Sequence, residues 1–131
     1  PEEFNVYKDR IERFKLIIWK KLPNLIAKAD VNLMPLEDTF FHACKSENKW
    51  MEAALVHVPT VASRNQELQR AIENGVDGFL CESEKDWEET LTRLVDSEEL
   101  RNKIANAAYQ KVMNKYSTYQ VEEEVVEMLT R

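Results

Sequence analysis

The sequence predicts an α/β protein, with helices on both faces of a parallel sheet of about four strands in a three-layer α/β/α arrangement. Short apolar or β-branched runs alternate with stretches of helical period. Cap and turn residues such as Asn65, Asn74-Gly75, Ser83 and Ser97 fall between them. The 131 residues suffice for one hydrophobic core, so one domain is expected over 1–131.

Taken in order, Glu2–Arg10 suggests a leading helix through Phe4, Tyr7 and Ile11, within residues 1–11. Arg13–Trp19 and Asp30–Pro35 read as strands, the second turning Val31, Leu33 and Pro35 inward. Between them Leu22–Ala29 has helical spacing with Pro23 in its first turn, completing a βαβ unit. Ser46 opens a helix to about His57 through Trp50, Ala53 and Ala54, and Pro59 stops it. Pro59–Ser63 is a β-branched strand; Asn65 caps a helix with Leu68, Ala71 and Ile72 inward, closed by Asn74-Gly75. Gly78–Cys81 is a further strand. Ser83 caps a helix carrying Trp87, Leu91, Leu94 and Val95 inward. Ser97 opens a longer one through Leu100, Ile104, Ala107, Ala108 and Val112. Ser117 or Thr118 starts a last helix, over 118–131, through Val121, Val125 and Leu129.

With 24 acidic and 18 basic residues the net charge is −6, which argues against wholesale attraction to nucleic acid or anionic lipid. Cys44 and Cys81 form no CxxC, and His42 and His57 match no zinc spacing, so no metal and a reducing, cytoplasmic setting are expected. No apolar run approaches the roughly 20 residues of a membrane helix. The start at Pro1, with neither Met nor a signal-peptide pattern, suggests a piece of a longer chain.

Ligands of parallel sheets sit beyond the strand carboxyl ends, which draws attention to Leu36–Lys45 and the helix start after it. Ser46, flanked by Lys45 and Lys49, reads either as an anion-holding helix terminus or as an ordinary N-cap beside solvated lysines. Glu52 is either an acceptor for vicinal sugar hydroxyls or the i,i+3 ion-pair partner of Lys49. Ser63 and Arg64 point to the same sheet edge. Trp19, Trp50 and Trp87 read first as core residues, with Trp50 the best candidate for stacking. His42 is a candidate hydrogen-bond donor or a loop packing residue; Cys44 is treated as filler and Glu122–Glu124 as a solvated face.

Four motifs stand in register: Asp30-Val-Asn-Leu-Met-Pro35; Lys45-Ser46-x-x-Lys49-x-x-Glu52; Val58-Pro59-Thr-Val-Ala-Ser63; and Ile72-x-x-Gly75-x-x-Gly78-Phe-Leu. Together they resemble the donor-binding C-terminal domain of retaining GT-B glycosyltransferases, in the branch with a Lys-Ser-x-x-Lys signature. The similarity runs over a family-like core, residues 12–117. It implies a Rossmann-like fold truncated at its N-terminus, and a nucleotide-sugar-binding half of an enzyme that transfers a sugar to a cell-surface polysaccharide or glycolipid.

The resemblance also implies that Lys45, Ser46, Lys49, Glu52 and Ser63 bind the donor. Glu52 stands for the second glutamate of a Glu-seven-residues-Glu pair and would contact the ribose, while Cys44 replaces the first. His57 stands where relatives have Gly, a position that tolerates a left-handed backbone. The catalytic groups, a basic diphosphate-binding loop and the acceptor domain are expected upstream of Pro1, leaving the fragment alone inactive. No cofactor is implied, the nucleotide diphosphate sugar being substrate. The parent's N-terminal domain is a candidate for peripheral attachment at the inner membrane face. A second reading is a non-catalytic, flavodoxin-like module for a phosphorylated ligand or a protein partner.

Overall fold

A computed structural model describes residues 2–37, 39–43 and 45–130. A 3-10 stretch, Glu2–Arg10, leads into an irregular segment, a second 3-10 turn at Trp19–Lys21, and then α1 (Leu22–Ile26). There follow β1 (Asn32–Met34), α2 (Phe40–Ala43), α3 (Asn48–Ala54), β2 (Thr60–Ser63), α4 (Gln66–Ala71) and β3 (Phe79–Cys81). Three consecutive helices, α5 (Glu84–Asp96), α6 (Glu98–Lys115) and α7 (Thr118–Thr130), complete the described chain.

The sheet is parallel, in the order β1-β2-β3, with Leu33 opposite Val61 and Ala62 opposite Leu80. Alternation along the central strands fills two cores. Met34, Ala62 and Leu80 meet Trp50 and Ala54 of α3, Leu68 and Ala71 of α4, and Ala108 and Val112 of α6. On the opposite face Val61, Phe79 and Cys81 meet Leu94 and Ile104, with Trp87, Leu91 and Leu100 packed around them. Thus α6 serves both faces, and it crosses beneath the amino ends of the strands. Tyr109 stacks on His57 there at 4.3 Å, and Asn106 Oδ1 lies 2.9 Å from His57 Nδ1. His57 adopts the expected left-handed backbone, with φ of 57°.

Several expectations change. The sheet has three strands, because residues 11–18 are irregular. Phe14, Leu16 and Ile18 are exposed there, with no neighbouring strand to complete a ladder. In β1 the inward residue is Met34, and Leu33 is 49% exposed. β1 is an edge strand, and α5 packs on β2 and β3, leaving the Leu33 side open. α3 begins at Asn48, with Glu47 as an N-cap that makes no side-chain bond, and it ends at Ala54. α4 ends at Ala71 with Ile72 as its extended C-cap, so the left-handed Gly75, φ 79°, shapes the turn into β3 instead of the helix end. Val95, Val125 and Leu129 are exposed, because no described element covers those faces; Ala105 is buried in their stead. Trp50 is fully buried. Phe4 and Tyr7 on the leading 3-10 stretch are exposed.

The expected caps do form. Asn65 Oδ1 accepts from Leu68 N at 2.7 Å. Ser83 and Asp86 form a reciprocal capping box on α5. Backbone N–H bonds from Ser83 and Glu82, together with the Ser83 hydroxyl, hold the Asp86 carboxyl below its ordinary range. A depressed carboxyl contributes stability that is present above its unfolded value, about pH 4, and is lost as pH falls through the lowered folded value. Asp86→Asn should therefore flatten the fall in stability on acidification relative to the parent, measured by urea midpoints between pH 2 and 6.

A buried knot ties these layers together. Trp50 Nε1 donates to the Asp77 carbonyl at 2.8 Å. The Asp77 carboxylate accepts from Glu73 N at 2.8 Å and from Lys111 Nζ at 2.6 Å. Gly78 leaves no space beside it, since a Cβ there would lie 2.8 Å from Ile72 Cγ2. Asp77→Ala should cost about 3–5 kcal/mol, by stranding a half-buried ammonium, and should lower the melting temperature seen by circular dichroism far more than Glu89→Ala on the surface.

Candidate functional site

The carboxyl ends of β1, β2 and β3 run into Pro35, Arg64 and Glu82, and α3 and α5 begin on that same side. Leu36 N, just past β1, donates to Ser63 Oγ at the end of β2 at 2.8 Å, so the first loop is pinned against the second strand. Asn32 reinforces the arrangement: its amide donates to the Lys49 carbonyl at 3.3 Å and to Thr60 Oγ1 at 3.1 Å, docking the start of α3 on the sheet.

A cavity of about 190 Å3 opens between this loop and α3, lined by Met34, Leu36, Lys45, Ser46, Asn48 and Lys49. Its floor is apolar and its rim cationic. The Lys45 ammonium sits 4.4 Å from the centroid of the Phe41 ring. Neither Lys45 nor Lys49 forms an ion pair among the described residues, so both charges remain available to an anion. The Ser46 hydroxyl is exposed and caps no helix.

A second cavity, about 420 Å3, adjoins the first across Leu36, and Ser63 and Trp87 are among its lining residues. Of the predicted site residues, then, Lys45, Ser46 and Lys49 share one cavity, and Ser63 lines the neighbouring one with its hydroxyl engaged by Leu36. Glu52 lines neither; it is exposed on α3, and the alternative ion pair with Lys49 does not form. Leu36 opens the loop that the sequence brings forward and Asn48 stands at the helix start after it, and both line the smaller cavity.

The other candidates fall into structural roles. Thr39 Oγ1 lies 3.1 Å from His42 Nδ1, and the His42 carbonyl accepts from Asn65 Nδ2 at 3.2 Å, so the histidine clasps α2 to the start of α4. Trp50 is core, and Trp19 is exposed. Cys44, and with it the position of the first glutamate, lies outside the described residues. Burial pushes the Cys81 thiol up, so it stays protonated. Among the described residues no three His, Cys, Asp or Glu side chains gather as a metal site requires, and no helix is long and apolar enough to cross a membrane.

Comparison with known proteins adds the family. No curated protein matches. Among solved structures, Anabaena HepE in complex with UDP-glucose superposes with a TM-score of 0.70 at 19% identity, over 98% of this chain and 36% of HepE. HepE in complex with UDP and glucose gives 0.67 at 19% identity, over 83% of this chain and 29% of HepE. The C-terminal domain of a glycosyl transferase group 1 family protein, LpcC from Francisella tularensis, gives 0.65 at 19% identity, over 88% and 60% of the respective chains. The chain thus spans less than two thirds of each of these proteins, and at this identity the likeness is one of fold. A family model described as Glycosyl transferase-like matches residues 5–127, nearly the whole sequence, and the chain belongs to that family.

Proposed function

We propose that this chain is the nucleotide-sugar-binding half of a glycosyltransferase. The observation that carries the reading is the pair of lysines that have no acidic partner among the described residues and meet Ser46 around a cavity at the carboxyl end of β1. An anion of the size of a nucleotide diphosphate is what two lysines and a free hydroxyl at such a position suit. HepE, which shares the fold, has been crystallised with UDP and with UDP-glucose.

In this reading Lys45 and Lys49 neutralise the diphosphate, and Ser46 donates to it. As the bond to the sugar breaks, negative charge builds on the departing phosphate, and ammonium groups already in place favour that state over the ground state. Glu52 accepts from the ribose hydroxyls beyond the rim of the cavity, and Ser63 borders the site through its hold on Leu36. No metal is assigned to the charge compensation. The groups that act on the acceptor belong to the remainder of the enzyme. The Lys-Ser-x-x-Lys pattern supports a finer reading: a polysaccharide or glycolipid acceptor, a cytoplasmic enzyme, and peripheral contact of the parent with the membrane.

Donor binding by residues 1–131 should be weak, in the high micromolar range or beyond, when read by calorimetry with UDP-glucose and a panel of other nucleotide sugars. Lys49→Ala should weaken it about ten- to a hundredfold, through loss of a charge-assisted contact of roughly 1.5–3 kcal/mol, and Glu52→Gln should weaken it less. Both side chains are exposed, so melting temperatures should barely move. Unchanged affinity in both variants would discard the assignment. A coupled assay for released UDP should find no sugar transfer by residues 1–131 alone, and turnover would contradict the division of labour.

A further inference from the structure

We propose that the side chains of Asn74 and Asp86 close the outer edge of β3 against pairing with a strand of a second copy of this chain. β3 ends the sheet, and the backbone groups of an outermost strand are a template for a further strand unless something occupies them. Arg64 N donates to the Cys81 carbonyl at 2.9 Å, so Cys81 turns its backbone groups toward β2. By the alternation of a parallel ladder, Gly78, Leu80 and Glu82 turn theirs outward.

Those outward groups are taken from within the molecule. The left-handed Gly75 turns the chain back so that Asn74 bridges Gly78 in parallel, and Gly75 N donates to the Gly78 carbonyl at 2.8 Å. Leu80 N donates to Asn74 Oδ1 at 2.9 Å, so a side-chain oxygen stands where the carbonyl of a neighbouring strand would stand. One ladder step further, Glu82 N donates to Asp86 Oδ2 at 3.0 Å, and Ser83 N donates to the same oxygen at 2.9 Å. Both outward N–H groups of Leu80 and Glu82 are therefore spent. An added strand must break two hydrogen bonds before it makes its own.

The surroundings act in the same sense. A cavity of about 450 Å3 runs beside this edge, and Glu82, Asp86, Glu89 and Arg93 line it with charges that a docking strand would have to strip of water. The Arg93 guanidinium lies 5.5 Å from the centroid of the Phe79 ring, holding a charge near the strand. The opposite edge is built differently. Asn32 N donates to the Pro59 carbonyl at 2.9 Å, which turns the Leu33 backbone groups outward, and no side chain among the described residues bonds them. The closure is thus particular to β3, and it does not depend on donor binding.

The test compares residues 1–131 with two double variants, Asn74→Ala with Asp86→Ala, and Asn74→Asp with Asp86→Asn, which keeps an acceptor at each place. Amide exchange at Leu80 and Glu82 is followed in dilute 15N-labelled protein, and a dilution series records amide shifts alongside mass by light scattering. In the alanine pair the two amides should exchange about five- to tenfold faster. With rising concentration its mass should climb, and the shifts of Gly78 through Glu82 should move. The parent and the acceptor-keeping pair should show no such movement at β3. A folded alanine pair whose β3 shifts ignore concentration would overturn the proposal, whatever its exchange rates and even if it associates through another surface. Equal association of the acceptor-keeping pair through β3 would overturn it too. Because Asp86 also caps α5, circular dichroism checks the fold, and where the alanine pair is unfolded Asn74→Ala alone is read by the same criteria.

Discussion

The bond from the buried Trp50 indole to the Asp77 carbonyl is the constraint on which the rest of the structure depends. A fully buried indole N–H must find an acceptor or forfeit about 1–3 kcal/mol, and the acceptor here is the backbone just before β3. That bond sets the distance between α3 and the turn into the third strand. Lys111 and the Glu73 amide hold the carboxylate of the same residue, so α6 and the end of α4 are fixed to the same point. Gly78 is required because any side chain would push Ile72 away from the knot.

The knot also orients the site. Trp50 faces the core, whereas Lys49 and Glu52 on the same short helix are exposed. The Asn32 amide then locks the helix start to β1 and β2. Rotating α3 by one residue would bury a lysine or expose the tryptophan. Cationic groups therefore stand at the strand carboxyl ends for a packing reason, with the Ser63–Leu36 bond defining the wall between two adjoining cavities.

Much of the fold was legible where local chemistry and tertiary packing agree. The Asn65 and Ser83 caps and the β-branched run before Ser63 could be read from residue type, and the left-handed His57 from the family resemblance, which puts Gly at that position. Reading failed where burial depends on a neighbour the sequence does not name. Arg13–Trp19 has the composition of a strand and no strand beside it. Leu33 alternates correctly on a face that α5 leaves open. α6 sends Ile104 to one core and Ala108 and Val112 to the other, so its buried face is wider than one helical stripe and takes in Ala105. At the site, the sequence brought forward Lys45, Ser46 and Lys49 through their spacing, and these do line one cavity. Spacing could not reveal that the Ser63 hydroxyl is engaged by Leu36, nor that Trp87 has one side in the core and lines a cavity as well.

The most direct measurement is a map of backbone amide chemical shifts on titrating the 15N-labelled chain with UDP-glucose. Donor binding predicts a contiguous set of perturbations at Leu36 and Glu37, at Lys45 through Glu52 and at Ser63 through Asn65, with α7 unmoved. Perturbations centred on the outer edge of β3 or on α7, with those segments silent, would contradict the account.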